Sequence, residues 1–377
     1  MKILLIGHEC EVNGASRSLL NIADELIRRG HAVYVLTAFG QGAFYDALRK
    51  RSIELIVHPY FRWSERRFPI YKYIWQSMKW MLKNRGKSIN TAREMAKFVE
   101  KEEIDIVHSN TSVINIGGLI SKYSGVPHVW HIREFGDIDF DMYPLIPRLW
   151  YYDFMNRYSD CFICISKAIY NHYKALDSKK KKIIYNGIDA KAVIPLQKKN
   201  KKVVTLLIAG MLHEAKGQDE AVQACAELIK RGIRCFELLI AGAGEVYFSI
   251  PEEVADYVRL LGRVENMPEL RSNVDIELVC SRAEAFGRVT AEAMLGGIPV
   301  IGSNRGGTPE LIQNGITGFL YERGNTMQLA DRLETLINNA ELRTKMGIAA
   351  QKYALDHFTI KRCVDQIEEV YKELKKK

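Results

Sequence analysis

The chain alternates short apolar segments with amphipathic helical patterns along almost its whole length, and this alternation constrains the fold more than any other feature. The first apolar segment, 2–7, precedes a helical pattern over 16–29, in which Leu19, Ala23 and Leu26 share one face. Further strands are predicted at 32–37, 53–58, 105–109, 128–132, 161–166, 182–185, 203–209, 236–241, 258–261, 275–280, 299–302 and 318–321. Short apolar strands separated by helices are typical of parallel sheets with both faces covered. The sequence therefore predicts an α/β fold with two doubly wound, Rossmann-like parallel sheets.

The length of 377 residues favours two domains, because a single hydrophobic core stops growing beyond about 250–300 residues. The charged stretch 198–202 lacks apolar periodicity, so the linker is predicted near 191–202. The predicted domains are therefore 1–195 and 196–358, followed by a C-terminal helix over 359–377. The apolar side chains of that helix share one face: Cys363, Ile367, Val370 and Leu374.

The net charge of +9 lies entirely in the first half of the chain. Residues 1–195 contain 29 Lys and Arg against 20 Asp and Glu, whereas residues 196–377 contain 25 of each. We therefore expect the first domain to face an anionic partner or surface.

Several features favour a cytoplasmic location. No apolar run approaches the ~18 residues of a membrane-spanning helix. The first apolar stretch turns polar at His8, as a strand does, and is too short for a signal-peptide core. The seven cysteines show no framework spacing, so reduced thiols are expected. Cys161 and Cys164 form the one CxxC, which lacks a second pair of zinc ligands and is predicted to lie in a buried strand.

Residues 60–87, here called the basic aromatic segment, stand apart in composition. They contain eight basic residues, one acid and eight aromatic residues, including three of the five tryptophans. Two interpretations stay open: a helical hairpin that packs its aromatic side chains on the sheet, or a contact with a membrane or lipid-linked acceptor. Nucleic acid is not favoured as a partner, because no recognised binding motif accompanies the charge. For a membrane or acceptor contact the candidate residues are Trp63, Arg66, Arg67, Trp75 and Trp80.

In a doubly wound sheet, ligands bind beyond the carboxyl ends of the strands, where strands lead into helices. At the first such junction, Gly14 lets the backbone approach a ligand, and the following helix N-terminus favours an anion. After strand 203–209, Lys216 precedes a helix start and is placed to neutralise a phosphate. Gly242 and Gly244 do not form a dinucleotide fingerprint, because Tyr247 occupies the place of the third glycine.

The strongest candidate site is the segment 281–294, which follows an apolar strand and opens a helix. If the helix starts near Arg288, the N–H groups around Gly287 can bind phosphate oxygens. Glu284 then lies in the loop before the helix and Glu292 about one turn inside it, so both carboxylates can face one crevice. We expect the first carboxylate to contact sugar hydroxyls and the second to contact a ribose diol.

A second glycine loop follows the next predicted strand. Thr308 is predicted as an N-cap, with Pro309 at the first helical position. Gly306 and Gly307 would then form a loop that a ligand can approach closely.

Together these motifs resemble the retaining glycosyltransferases of family 4, which have the GT-B fold. The resemblance rests on Glu284 and Glu292 with seven residues between them, and on the Gly-Gly-Thr-Pro-Glu sequence at 306–310, and it covers essentially the whole chain. The sequence 130–134, Trp-His-Ile-Arg-Glu, is similar to family members that build bacterial surface polysaccharides. The implied architecture is two Rossmann-like domains that face each other across a cleft, with the C-terminal helix crossing back to the first domain. Further matching positions are 13–14, 28–33, 185–189 and 216–217.

The resemblance also implies roles for individual residues. Glu284, His131 and Lys216 would be catalytic: the carboxylate on the transferred sugar, the imidazole beside it, and the ammonium on the departing diphosphate. Glu292 would hold the ribose of the nucleotide. The other donor-binding positions would be Gly14, Phe286, Gly287, Arg288, Val289, Gly306 and Gly307.

No metal or other cofactor is implied, because the nucleotide sugar is the co-substrate. Retention in this family is attributed to front-face attack, in which the donor phosphate accepts the proton of the acceptor, so no protein nucleophile is implied. Asp137, Asp139 and Asp141 contain a DxD, which binds a metal in other glycosyltransferases. Because this stretch lies outside the strand junctions of the second domain, we predict a loop there rather than a metal site.

The sequence departs from the family pattern at Met211, where the family commonly has arginine before the lysine. A thioether cannot bind phosphate. Either Lys216 with the helix N-termini suffices, or one of three other cations takes that role: Arg17, Arg288 or Arg305.

The expected function is transfer of a hexose-type sugar from a nucleotide-sugar donor, with UDP favoured over GDP. The expected acceptor is a lipid-linked oligosaccharide in capsule, O-antigen or exopolysaccharide synthesis, with peripheral contact at the inner face of the membrane. Two alternatives are a nucleotide-sugar epimerase of the same fold and a non-catalytic basic scaffold that binds membrane or nucleic acid.

Overall fold

The computed structural model describes residues 1–67, 69–193 and 202–376. The chain forms two compact units, one of Met1–Gly187 with Ile360–Lys377 and the other of Ile188–Thr359. The linker predicted near 191–202 lies outside the described residues except for residues 191–193 and 202.

The first unit contains β1 (Lys2–Ile6), α1 (Gly14–Arg28), β2 (Ala32–Thr37), α2 (Ala43–Arg49), β3 (Glu54–Val57), β4 (Ser64–Arg66), α3 (Ile70–Lys79), a π-helical turn (Trp80–Asn84), α4 (Arg85–Lys101), β5 (Ile106–Ser109), α5 (Ile116–Ser124), β6 (His128–Ile132), α6 (Asp137–Phe140), β7 (Met142–Pro144), α7 (Arg148–Arg157), β8 (Cys161–Cys164), α8 (Lys167–His172) and β9 (Lys181–Ile183). Its main sheet has seven parallel strands in the order β3-β2-β1-β5-β6-β8-β9. The order reverses between β1 and β5, so the loops after these two strands lie at the switch point of this sheet.

The second unit contains β10 (Val204–Ala209), α9 (Gln218–Lys230), β11 (Phe236–Ala241), α10 (Glu252–Ala255), β12 (Val258–Gly262), α11 (Met267–Arg271), β13 (Ile276–Val279), α12 (Arg288–Leu295), β14 (Val300–Ser303), α13 (Thr308–Leu311), β15 (Gly318–Tyr321), α14 (Thr326–Ile337) and α15 (Ala340–His357). Its six parallel strands run in the order β12-β11-β10-β13-β14-β15. The order reverses between β10 and β13, which makes the carboxyl ends of these strands the expected ligand position.

All strands predicted for the two main sheets are present, with bounds that differ from the prediction by no more than two residues. Successive side chains of a strand point to opposite faces of the sheet. In β1, Ile3 and Leu5 therefore pack with one set of helices, while Leu4 and Ile6 pack with another. The predicted α/β fold with two Rossmann-like parallel sheets is confirmed.

The final helix, α16 (Ile360–Lys375), belongs to the first unit. The four apolar side chains predicted to share a face are all buried there, which confirms the helical periodicity. Glu368 on the same helix accepts hydrogen bonds from Arg29 at 3.0 Å and contacts His31 Nε2 at 2.6 Å. Gly187 lies so close to Ile360 that a Cβ there would come within 2.5 Å of the Ile360 Cα.

Three local features were not predicted. A two-stranded antiparallel sheet pairs β4 with β7, within a stretch assigned to helix or loop. A π-helical turn interrupts the helical path between α3 and α4. The DxD stretch forms one helical turn, α6, rather than a loop, because the Asp139 carboxylate caps its start by accepting hydrogen bonds from the N–H groups of Phe135 and Gly136.

Cys161 and Cys164 are buried in β8 without a disulfide, so the prediction of a buried strand is confirmed. Among the described residues, no helix is both long enough and apolar enough to cross a membrane.

Candidate functional site

The candidate site of the second unit lies at the switch point of its sheet. Lys216 comes from the loop after β10, and Glu284 comes from the loop after β13. The Lys216 Nζ donates to the Glu284 Oε1 at 2.6 Å, so the two loops meet through an ion pair. The two predicted catalytic residues of this unit are therefore brought together, although 68 positions separate them in the chain.

The surroundings of Glu284 favour its charged form. Burial alone would raise the pKa of this carboxyl, but the Lys216 ammonium and hydrogen bonds from Lys216 and Ser281 lower it below its usual range. The Ser281 hydroxyl donates to the same carboxylate oxygen at 2.6 Å. The site therefore presents a fixed carboxylate acceptor next to a half-buried cation.

The glycine loop after β14 packs directly on Glu284. Gly307 donates its N–H to the Glu284 carbonyl at 2.6 Å. Gly306 has a φ of 59°, and a Cβ at this position would lie 2.4 Å from the same carbonyl oxygen. Only glycine accommodates both the left-handed backbone and this approach, so the loop predicted from Gly306 and Gly307 lies against the predicted sugar contact.

Helix α12 begins at Arg288, as predicted, with Gly287 as its N-cap at a φ of 98°. The first N–H groups of a helix lack intrahelical acceptors and favour an anion. Phe286, just before the helix, is 2% exposed and packs against Phe358 with ring centroids 5.7 Å apart. A buried aromatic thus fixes the backbone immediately before the helix N-terminus. The side chain of Val289, the fourth predicted residue here, is partly buried.

Glu292 is held by two arginines. Its Oε2 accepts from Arg271 Nη1 at 2.6 Å, and its Oε1 accepts from Arg288 Nη2 at 3.3 Å. Arg271 also donates to Glu277, a fully buried carboxylate on β13. Burial opposes the charged form of Arg271, yet the two carboxylates raise its pKa. Glu292 is therefore oriented by a buried network of charges.

Sequence reasoning missed Arg271 and Glu277. The available signal was the single acid inside the otherwise apolar strand β13, Ile-Glu-Leu-Val. A carboxylate in a buried strand needs a cationic partner. The acid in this strand therefore predicts an arginine close to it.

One prediction about the glycine loop needs correction. Helix α13 starts at Thr308 itself, and the N-cap is Gly307. Thr308 is therefore the first helical residue rather than the cap. Its buried Oγ1 has no hydrogen-bond partner among the described residues.

Met211 lies in the loop after β10 and is 54% exposed. Among the three cations considered in its place, Arg288 lies at the start of α12 and is paired with Glu292 at 3.3 Å. Arg305 is paired with Glu322 at 2.9 Å. Arg17 is an exposed residue of α1 in the first unit. Of these three cations, Arg288 is thus the one that lies at the N-terminus of α12.

Gly242 and Gly244 have a structural role that accounts for their presence. A Cβ on Gly242 would lie 1.8 Å from the Gly210 carbonyl oxygen, and one on Gly244 would lie 2.9 Å from that of Leu212. These glycines let the loop after β11 pack against the loop that carries Lys216.

In the first unit, Gly14 is the exposed first residue of α1. Asn13 precedes it as the N-cap, with its N–H donated to the Ser16 Oγ at 2.7 Å. The loop after β5 meets this helix start, because the Asn110 side chain donates to the Ala15 carbonyl at 2.9 Å. Gly14 therefore lies at the switch point of the first sheet.

His131, on β6, is fully buried in a polar chain of the first unit. Its Nδ1 accepts from Arg133 Nη2 at 3.1 Å and lies 3.2 Å from His108 Nε2. Burial and the positive charge of Arg133 lower the pKa of both imidazoles. Because a neutral imidazole that accepts at Nδ1 carries its proton on Nε2, the His131 Nε2–H is a donor. It has no hydrogen-bond partner among the described residues.

The basic aromatic segment divides into buried and exposed parts. Trp63 is 1% exposed and stacks on Trp130 with centroids 5.7 Å apart, and Trp80 is 4% exposed. These two tryptophans cannot contact a membrane or an acceptor where they lie, because their rings fill the interior. Trp75, in contrast, is 55% exposed, and Arg66 and Arg67 are also at the surface. The two interpretations of this segment therefore apply to different residues.

Two family models match consecutive parts of the chain. The model described as "Glycosyltransferase Family 4" matches residues 12–192, and the one described as "Glycosyl transferases group 1" matches residues 191–353. Together they span nearly the whole of both units.

Individual relatives match along almost their full length. The chain is 25% identical to N-acetyl-alpha-D-glucosaminyl L-malate synthase of Bacillus anthracis, with 98% of this chain and 96% of that protein covered. It shares its fold with a glycosyltransferase from Rickettsia africae, with a TM-score of 0.82, 21% identity and 99% and 98% coverage of the two chains. Anabaena HepE, solved in complex with UDP and glucose, has a TM-score of 0.77 and 22% identity, with 99% and 100% coverage.

Proposed function

The chain belongs to the group 1 and family 4 glycosyltransferases, and we propose that it transfers a hexose-type sugar from a UDP-sugar, with retention of the anomeric configuration, to a saccharide or lipid-linked acceptor. The observation that carries the donor side of this proposal is the Lys216–Glu284 pair at the switch point of the second unit. It places a cation and a carboxylate where a doubly wound sheet binds its ligand.

The diphosphate of the donor would be held by charge and by backbone N–H groups. Lys216 and Arg288 supply positive charge, and the N-terminus of α12 supplies donors. As the bond between the anomeric carbon and the phosphate oxygen breaks, negative charge grows on the leaving diphosphate. Fixed donors stabilise that charge more in the transition state than in the ground state. These groups require no metal for that role.

The sugar and the ribose would be oriented by carboxylates. Glu284 accepts hydrogen bonds from sugar hydroxyls on the edge not used by Lys216 and Ser281. Glu292, fixed by Arg271 and Arg288, accepts from the ribose diol. The role of His131 beside the transferred sugar stays a prediction, because this imidazole is fully buried in the first unit and its Nε2–H has no partner among the described residues. In this scheme the new bond forms between the acceptor oxygen and the anomeric carbon, and the acceptor proton passes to the departing phosphate.

The choice of UDP draws on a structural neighbour. HepE was solved with UDP and glucose, and we extend that donor class to this chain. The acceptor is proposed from the first half of the chain, where residues 1–195 contain 29 Lys and Arg against 20 Asp and Glu, an excess of positive charge that suits a phosphate-linked saccharide. The proposal includes a cytoplasmic enzyme with peripheral contact at the inner face of the membrane. The malate synthase relative makes a small acidic acceptor the main competing outcome.

A thermal-shift panel tests the donor. UDP and the matching UDP-sugar should stabilise the chain, by about 2.7 kcal/mol at a hundredfold excess over Kd, and GDP should stabilise it less. No stabilisation by any nucleotide would contradict a donor site and favour the scaffold alternative. Release of UDP should require an acceptor and persist in excess chelator. A changed sugar nucleotide formed without an acceptor would instead indicate an epimerase.

A further inference from the structure

The most exposed apolar surface of the first unit is formed by two separate segments. Nine of the 22 exposed large apolar side chains among the described residues lie in 70–82 or at 149–150. On α3 and the π-helical turn they recur at helical spacing and face outward rather than into the unit. Leu149 and Trp150, at the start of α7, are 83% and 66% exposed. A patch of this kind on a soluble unit marks an interaction site.

The two segments are joined by a rigid base. Strand β4 pairs with β7, Arg67 donates its N–H to the Asp141 carbonyl at 3.0 Å, and the Tyr73 hydroxyl donates to the Pro144 carbonyl. The buried Trp63, which directly precedes β4, anchors this strand to the interior, because its Nε1 donates to the Ser112 carbonyl at 2.8 Å. Strand pairing and hydrogen bonds therefore connect the two segments that carry the exposed apolar side chains.

Between the segments lies a cavity of about 530 Å³. This volume is within the range of roughly 300–1,000 Å³ that is usual for small-ligand sites. Its walls are mostly apolar and come from both segments: Tyr73, Met81, Leu145, Ile146, Pro147 and Trp150.

Two cations lie at one aromatic ring of this cavity. The guanidinium carbons of Arg67 and Arg148 are 5.3 Å and 5.5 Å from the centroid of the Tyr143 ring. Arg148 also lies 3.6 Å from the Asp137 carboxylate. The two guanidiniums place positive charge at the edge of the cavity, and positive charge there favours an anion such as a phosphate. Charge indicates which occupant fits. The apolar cavity has two arginines at its edge and lies next to the basic aromatic segment, which contains eight bases and one acid, so we expect an anionic amphiphile.

We propose that this face docks on an anionic membrane, with the hydrocarbon chain of one lipid in the cavity and its phosphate at Arg67 and Arg148. The outward apolar side chains enter the boundary between headgroups and acyl chains, and Lys72, Lys79 and Lys83 contact the headgroups. The inference deepens the proposed function and rests on it in one respect, namely that the acceptor is presented at a membrane.

Vesicle flotation with the full chain tests the surface. Wild-type protein should float with vesicles of phosphatidylcholine and phosphatidylglycerol but not with phosphatidylcholine alone. The double variants Leu149→Asp/Trp150→Asp and Arg67→Gln/Arg148→Gln should each bind about tenfold more weakly. Two matched controls should bind as wild type: Ile348→Asp, an exposed apolar site on the second unit, and Arg49→Gln, which stacks on Tyr45 elsewhere in the first unit. Unchanged binding of both double variants would overturn the proposal.

Lipids with brominated chains test the cavity itself, because bromine quenches tryptophan fluorescence only at close range. Trp75 and Trp150 are the two exposed tryptophans, and Trp150 lines the cavity. Brominated lipids should quench the tryptophan fluorescence of the wild-type protein, and this quenching should be much weaker in Trp150→Phe. If quenching falls only in Trp75→Phe, the cavity holds no lipid hydrocarbon chain.

Sedimentation tests whether the same face contacts a second copy of the protein. If the Leu149→Asp/Trp150→Asp variant loses a dimer while keeping its vesicle affinity, the face contacts a second copy, and the proposal is wrong.

The outcome can be separated from that of the proposed function. Nucleotide stabilisation measured without vesicles should be the same in all these variants, since none of the altered residues lies in the second unit except the Ile348 control. Vesicle binding without nucleotide stabilisation would overturn the donor site and leave the docking surface standing.

Discussion

At the scale of single residues, Lys216 has two possible partners. In the structure its ammonium is bound to Glu284 at 2.6 Å, whereas a bound donor offers it a diphosphate with greater charge. Both side chains keep partial exposure, 33% for Lys216 and 19% for Glu284, so the ion pair can rearrange without opening the core. In the proposed mechanism, the ion pair would keep the Lys216 ammonium at the position where the leaving diphosphate needs positive charge.

Changing Lys216 to Ala should lower kcat by roughly 100- to 1,000-fold, because removal of one preorganised group that stabilises developing charge has that effect. Steady-state kinetics with a UDP-sugar would measure the loss. Lys230→Ala, an exposed lysine at the end of α9, is the matched control and should retain full activity. Cooperative thermal unfolding of the variant would show that the fold is intact, and near-normal turnover would exclude the phosphate role.

Met211 offers a gain of function. Its side chain is 54% exposed in the loop after β10, so a longer side chain fits without repacking. Met211→Arg should lower the KM for the donor about tenfold or more, because a hydrogen bond to a charged group contributes about 1.5–3 kcal/mol. The control is Met211→Leu, which adds no charge and should leave KM unchanged. An unaltered KM in the arginine variant would indicate that Lys216 and Arg288 already satisfy the diphosphate.

At the scale of elements, the candidate site of the second unit depends on loops that approach one another more closely than side chains allow. Gly306 and Gly307 rest on the backbone of Glu284, and Gly217 would bring a Cβ within 2.3 Å of the Cys280 carbonyl oxygen. Three loops that follow β10, β13 and β14 thus meet at backbone distance. Glycine is needed at these positions mainly because the neighbouring loops leave no room for a Cβ, and less because of the turns themselves.

Gly306→Ala should therefore weaken donor binding and destabilise the chain by about 1–3 kcal/mol, the cost of strain at a left-handed residue with a blocked Cβ. The matched control is Gly315→Ala, which has a similarly positive φ of 80° but no atom within 4 Å of the added Cβ. Thermal unfolding and UDP titration would compare the two. Equal losses in both variants would show that backbone conformation alone matters, and that the contact with Glu284 does not.

Element prediction succeeded where periodicity was strong and failed where the structure depends on distant residues. Apolar strands and the amphipathic helix α16 follow from local pattern, because each buries a continuous apolar face. Strand β4 has only three residues and exists because β7, about 78 positions later, pairs with it (residue 64 against residue 144, and residue 66 against residue 142). Short pairing of this kind has no local signature.

At the scale of the whole molecule, the chain ends in the unit in which it began. Six side chains of α16 are buried in the first unit: Cys363, Val364, Ile367, Val370, Tyr371 and Leu374. The helix also shares the core cluster of β1 and α1. The stability of the first unit therefore depends on a helix that follows the second unit in the sequence.

Ile367→Ala should destabilise the first unit by about 2–5 kcal/mol, the usual cost of truncating a fully buried isoleucine. Hydrogen exchange should show the loss of protection in 1–187, with residues 204–357 little changed. Glu369→Ala, at an exposed position on the same helix, is the control and should have no effect. Loss of protection confined to the second unit would contradict the assignment of α16.

The sequence alone determined the two parallel sheets and the order of their strands along the chain, and it singled out the residues that the structure brings together in the candidate site of the second unit. Apolar periodicity is a local property, which the sequence shows directly. Order and spacing along the chain are also enough to recognise Glu284, Glu292, Lys216 and the paired glycines. Only the tertiary structure decided which tryptophans of the basic aromatic segment lie inside, since Trp63 and Trp75 are equally aromatic in sequence but 1% and 55% exposed. The same holds for Arg271 and Glu277, and for the cavity between α3 and α7. Burial, ion-pair choice and cavity shape depend on contacts between residues far apart in the chain, which local pattern cannot specify.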